Sequence, residues 1–63
     1  MSDQDHAVLS AMRTYGGSFV RCLAEAGFCA DDENLLRLKL AWPEYWQEYV
    51  LMAALAAQRK QPA

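Results

Sequence analysis

The sequence predicts an all-α fold, a compact bundle of three to four short helices at about 5–15, 18–29, 32–42 and 43–60, and three observations carry that prediction. Apolar residues recur at helical spacing along most of the chain. Gly16-Gly17, Asp31-Asp32-Glu33 and Pro43 supply stop and start signals at intervals that suit short helices. Between Leu40 and Tyr49, four aromatic residues crowd around Pro43, which marks a packed junction of two helices.

In the first helix Val8, Ala11, Met12 and Tyr15 fall at i, i+3, i+4 and i+7, and Ser2, Asp3 and Asp5 precede them as candidate N-caps. Gly16 and Gly17 end it, since glycine takes the left-handed conformation that closes a helix, and Ser18 is placed to cap the next one. The second helix carries Phe19, Leu23, Ala26 and Ala30 down one face, with Val20, Ala24 and Gly27 beside it; the small residues allow a close helix hairpin. Asp31-Asp32-Glu33, directly before Leu35, Leu36, Leu38 and Leu40, reads as a cap with favourable charges at a helix N-terminus. Glu33 and Arg37 form an i, i+4 pair. The third helix ends near Trp42, because a residue before proline is pushed out of the helical region. Pro43 suits the first position of the fourth helix, where an N–H would have no partner. Arg59 and Lys60 stand where the helix dipole favours cations. Residues 1–63 therefore read as one domain, frayed at about 1–4 and 61–63.

A domain of 63 residues buries only about 60% of the surface its unfolded chain exposes. Apolar residues make up 54% of the chain, enough for a small core with some apolar surface left for a partner. The net charge of −2 and the scattering of Arg13, Arg21, Arg37, Lys39, Arg59 and Lys60 leave no basic stripe for a phosphate backbone, so nucleic acid is not the expected partner. Cys22 and Cys29 are too far apart on one helix for a disulfide, at about 10 Å, and read as two buried thiols in a reducing compartment. The acidic N-terminus lacks the positive region of a signal peptide. The longest apolar run, Tyr49 to Ala57, is half of what a bilayer span requires, so the expected location is the cytoplasm, with no membrane partner.

On a wheel of about 100° per residue, Tyr45, Trp46, Tyr49, Val50, Met52, Ala53, Ala56 and Ala57 of the fourth helix share an arc of roughly 180°. The opposite arc holds Glu44, Gln47, Glu48, Gln58 and Arg59, yet Leu51 and Leu55 lie inside it. Two readings follow: the leucines touch the first helix folded across that side, or they dock on another chain. Trp42 and Trp46 are expected in the core as a wedge between the third and fourth helices, with Tyr45 the one of the junction aromatics expected to be partly exposed. The candidate partner-binding residues are Tyr45, Glu48, Leu51, Leu55 and Arg59.

Chemistry has little to build on. His6 has no Ser, Cys or acid arranged around it and reads as solvated in a terminal turn. Glu44 and Glu48 lie four apart without an apolar pocket to shift a pKa. No metal-ligand spacing or nucleotide loop is present, so no catalytic residue, metal or cofactor is expected, and the chain is not expected to be an enzyme. The segment Cys22 to Ala30 resembles the turn of a helix-turn-helix, with Gly27 at the turn. Leu23 then stands where alanine is usual, and the recognition helix would begin with three acids. A DNA-binding regulator remains the alternative.

The strings Tyr15-Gly16-Gly17-Ser18-Phe19-Val20, Leu23-Ala24 with Ala26, Ala30-Asp31, Glu33-Asn34, Arg37-Leu38 and Ala41-Trp42-Pro43-Glu44-Tyr45-Trp46 with Tyr49 resemble a group of small helical proteins of tailed bacteriophages and prophages of proteobacteria. The likeness runs from about Tyr15 to Tyr49, with Trp42 where phenylalanine is expected. It implies a phage origin and a helical fold, and transfers no catalytic or binding residue. Phage proteins of this size often bind a host protein. The expected function is therefore a non-enzymatic inhibitor or modulator of a host protein, anti-defence activity such as anti-CRISPR included, with a homodimer as a further possibility. A structural virion or scaffold component is the second alternative.

Overall fold

The computed structural model describes residues 1–60, with Arg59 and Lys60 in backbone only; the expected frayed tail at 61–63 lies outside the described residues. Four helices follow one another, α1 (Asp3–Tyr15), α2 (Ser18–Cys29), α3 (Asp32–Ala41) and α4 (Pro43–Lys60). The expected all-α bundle is the observed fold, 38 × 23 × 18 Å in extent. Helix α1 packs most extensively on α2 and α4, and α3 makes smaller contacts with α2 and α4. The core accordingly centres on α1: Val8, Leu9 and Met12 are fully buried, joined by Ala11, Val20, Leu23, Ala24, Leu35 and Tyr49.

Helix α1 starts at Asp3, earlier than about residue 5, because Ser2 is the cap that forms: its Oγ accepts from the Asp5 N–H at 3.1 Å. Its end departs from expectation. Gly16 is extended, at φ −77° and ψ 158°, and no glycine has positive φ. The Gly16 N–H donates to the Met12 carbonyl at 2.9 Å, and the chain turns straight into α2. Gly17 is the N-cap of that helix and offers no side chain, while the expected cap, Ser18, is its first helical residue.

Helix α2 buries Val20, Leu23, Ala24 and Gly27. Of the face that runs through Phe19, Leu23 and Ala26, Phe19 and Ala26 are exposed, since α1 covers the neighbouring face of Val20, Ala24 and Gly27. Cys22 and Cys29 are free thiols, as their separation requires, but they are exposed rather than buried. The wheel explains this: both lie within about 20° of each other and nearly opposite the Leu23, Ala24, Gly27 face. Gly27 lies inside α2, with Leu9 packed over it, so no helix-turn-helix turn exists at that position.

Helix α3 is capped as its sequence indicates, with the Asn34 N–H donating to Asp31 Oδ1 at 2.8 Å and Arg37 bridging Glu33 at 2.9 Å. Trp42 leaves the helical region, at φ −131° and ψ 64°, and Pro43 opens α4. The tryptophans do not form the expected buried wedge. Trp42 is 39% exposed and Trp46 half-buried; the aromatic residue that enters the core is Tyr49. The break before proline takes Trp42 off the α3 register, and its ring meets Phe19 edge-on at 5.9 Å on the surface.

Where α1, α3 and α4 meet, the Lys39 ammonium donates to Asp5 Oδ1 at 2.8 Å and stands 4.9 Å from the centre of the Trp46 ring. Both side chains of the ion pair are more than two-thirds buried, which raises its value above that of a solvated pair. Burial pushes the Asp5 carboxyl up, but the hydrogen bond and charge of Lys39, with the bonds to Ser2, outweigh it and hold the pKa below its ordinary value. A depressed carboxyl stabilises the fold above the unfolded pKa, near 4, and the contribution is lost as pH falls through the folded value. Asp5→Asn should cost about 1 kcal/mol at pH 7, or about 4–8 °C in Tm. Melting curves at pH 7 and pH 3 test this, since the gap between variant and wild type should narrow at the lower pH.

His6 lies within α1 rather than in a terminal turn. It is exposed as expected, and its ring meets the edge of Phe28 at 5.3 Å. Arg13 covers the same phenyl ring at 4.7 Å and lies 3.7 Å from Glu25, which ties α1 to α2 at the surface.

Candidate functional site: the outer face of the fourth helix

Helix α4 is 18 residues long and meets α1 along one side, where Ala53, Ala56 and Ala57 face Ala7, Ser10, Ala11 and Thr14 across an open groove of about 470 Å³. These small side chains let the two helices approach, and they turn the opposite side of α4 outward. Leu51 and Leu55 stand on that outward side, 66% and 55% exposed. Neither leucine is covered by α1, although Leu55 borders Tyr15 at the end of that helix.

The candidate residues do not all assemble. Glu48 is exposed on the same stripe as Leu51 and Leu55. Tyr45 is half-buried and lies on another side of the helix, its ring 6.1 Å from Phe19 in the aromatic junction with Trp42. The side chain of Arg59 lies outside the described residues. Two residues absent from the candidates do join the stripe: Tyr15 and Met52 line, with Leu55 and Ala56, a shallow cleft of about 210 Å³ at its edge. Tyr15 shares the α1 stripe of Val8 and Met12, but as the last helical residue it extends past the core and is 56% exposed. Its place just before Gly16-Gly17 is the sequence signal for that exposure.

A second exposed pair lies on α3, where Leu36 is 54% and Leu40 71% exposed, four residues apart. The four leucines of this helix spread over more than one face, and its small contacts with α2 and α4 bury only Leu35.

The electrostatics of these surfaces are quiet. Burial, then the charges of Glu48 and Tyr45, raise the Tyr49 phenol above its ordinary value, so it stays neutral at physiological pH. Glu44 and Glu48 are exposed, as a solvated carboxylate pair should be. Among the described residues, no group of three or more His, Cys, Asp or Glu side chains is placed to hold a metal ion, and no helix is long and apolar enough to cross a membrane. Among the described residues, the side chains of Arg13, Arg37 and Lys39 are engaged with Glu25, Glu33 and Asp5, and the N-terminal ammonium lies 3.6 Å from Asp32.

The fold and surface define a small four-helix module with an apolar stripe on its longest helix. No protein-family model matches the chain, and neither do the curated proteins or the solved structures.

Proposed function

We propose that this chain is a non-enzymatic binding module that docks on another protein through the outer stripe of α4. In line with the phage and prophage group that its central segment resembles, the partner is a host protein that it inhibits or modulates. The observation that carries this reading is the exposure of Leu51 and Leu55, one helical turn apart, in a chain whose other large aliphatic residues include fully buried Val8, Leu9 and Met12. Each exposed leucine costs the free protein hydration that a partner's apolar surface relieves, at about 25 cal/mol per Å² buried. Arg37 and Lys39, the cations a DNA-binding α3 would present, are instead paired with carboxylates, which counts against the regulator reading.

Tagged wild-type protein and the Leu51→Glu/Leu55→Glu variant, each used to capture partners from host lysate, test the proposal. Both positions are exposed, so the variant should keep its helical circular-dichroism signal and a Tm near that of the wild type. The specific partner should bind about 30-fold more weakly or disappear, as expected when central interface anchors are replaced by charges. Undiminished capture by the folded variant removes α4 from the proposal.

A further inference from the structure

The exposed stripe of α4 has a heptad-like pattern that reaches beyond its two leucines. Glu44, Glu48, Leu51, Leu55 and Gln58 are separated alternately by four and three residues, and all are exposed. Four-and-three spacing keeps these residues on one stripe, which becomes a seam between two helices where it is apolar; here Leu51 and Leu55 supply the apolar part. Its polar members restrict what can lie on it. In a parallel pair of such helices, Glu44 and Glu48 would each face their own copy, and like charges directly opposed are destabilising. In an antiparallel pair related by a two-fold axis level with Ala53, Leu51 of each copy meets Leu55 of the other, and Glu48 meets Gln58, whose amide donates to a carboxylate. The same register sets the acidic start of one helix beside the end of the other, which carries Arg59 and Lys60. The helix dipoles are then opposed as well.

We infer that the stripe is self-complementary, and that in the free protein a second copy covers it as an antiparallel α4 pair. This rests on the reading of the stripe as a docking face and names its occupant when no host partner is bound. One helix face per copy is a small interface, so the dimer is weak, with a dissociation constant on the order of 10–100 µM. Dimerisation and partner binding then compete for the same leucines.

Sedimentation equilibrium of the full chain, from about 5 µM to about 1 mM to bracket a weak interface, tests the inference. The wild type should pass from monomer to dimer, and Leu51→Glu/Leu55→Glu should stay monomeric with its helical signal intact. Gln58 decides the register. In the antiparallel pair Gln58→Lys faces Glu48 of the other copy and should tighten the dimer about threefold to tenfold, while Gln58→Glu should loosen it by a similar factor. A wild type that is monomeric throughout, a dimer that survives the leucine substitutions, or one that Gln58→Lys loosens overturns the inference. Partner capture by the wild type that fails in the leucine variant would then preserve the docking reading while removing the second copy, so the two fail separately.

Discussion

Leu9→Ala should remove about 3 kcal/mol of stability, within the range of roughly 2–5 kcal/mol for deleting a fully buried leucine side chain. A chain of this length has only about 3–9 kcal/mol to lose. The variant should therefore keep only about 0–6 kcal/mol, with a lowered Tm and a lowered urea midpoint at 25 °C. The reason for this sensitivity is a specific fit. Leu9 is fully buried, and its methyl groups occupy the space above Gly27 of α2, where a β-carbon would come within 2.5 Å of Leu9 Cδ2 and 3.1 Å of Cδ1. Because the leucine is enclosed, it has little room to withdraw.

The pair gives a test of sign. In the wild type, Gly27→Ala should destabilise, since overpacking costs about 1–3 kcal/mol and the better helix propensity of alanine returns only about 1 kcal/mol. In the Leu9→Ala background the obstruction is gone. The same Gly27→Ala change should then stabilise by about 1 kcal/mol, through propensity and partial filling of the cavity. Urea unfolding of the four proteins in the cycle measures both numbers, and an equal effect of Gly27→Ala in the two backgrounds would show that the contact is unimportant.

Gly16→Ala should be similarly damaging, at about 3 kcal/mol, for a reason unrelated to backbone freedom. Gly16 has dihedral angles that any residue adopts, but a β-carbon there would collide with the Met12 carbonyl oxygen and with Val20 Cγ1. The carbonyl is held by its hydrogen bond to the Gly16 N–H, and Val20 is in the core. Neither can yield without opening the α1–α2 hairpin. Gly17 should behave in the opposite way. Nothing lies within 4 Å of a β-carbon at that position, and Gly17 caps α2 without a side-chain bond. Gly17→Ser supplies the missing oxygen and reduces the freedom of the unfolded chain, and should stabilise by about 0.5–1 kcal/mol. Thermal melts of the two variants should move in opposite directions; a destabilised Gly17→Ser would contradict the capping account.

Much of the architecture was legible because it rests on short-range chemistry. The acid that caps α3, the Glu33–Arg37 pair, the break at Trp42 and the start of α4 at Pro43 each depend on residues within four positions of one another, and each forms as the sequence indicates. The closure of α1 was local too, yet it was misread, because two glycines in sequence do not reveal whether they are needed for conformation or for space. The candidate surface was half legible. The wheel separated Leu51, Leu55 and Glu48 from the apolar arc of α4 and set Tyr45 within that arc, where the structure half-buries it, while Tyr15 belongs to a helix distant in sequence.

The sequence by itself determined that the chain is helical, where its four helices begin and end to within a few residues, and which faces are apolar. Those properties follow from periodicity, capping and proline stereochemistry, all of which act over a few residues. Only the tertiary structure decided which apolar faces are covered. The placement of α1 between α2 and α4 buries Leu9 and Tyr49, leaves Cys22 and Cys29 in solvent, and sends Lys39 to Asp5 and Trp46. It also leaves Leu51 and Leu55 outside, because a helix with two apolar sides and one principal neighbour can bury only the side that neighbour reaches.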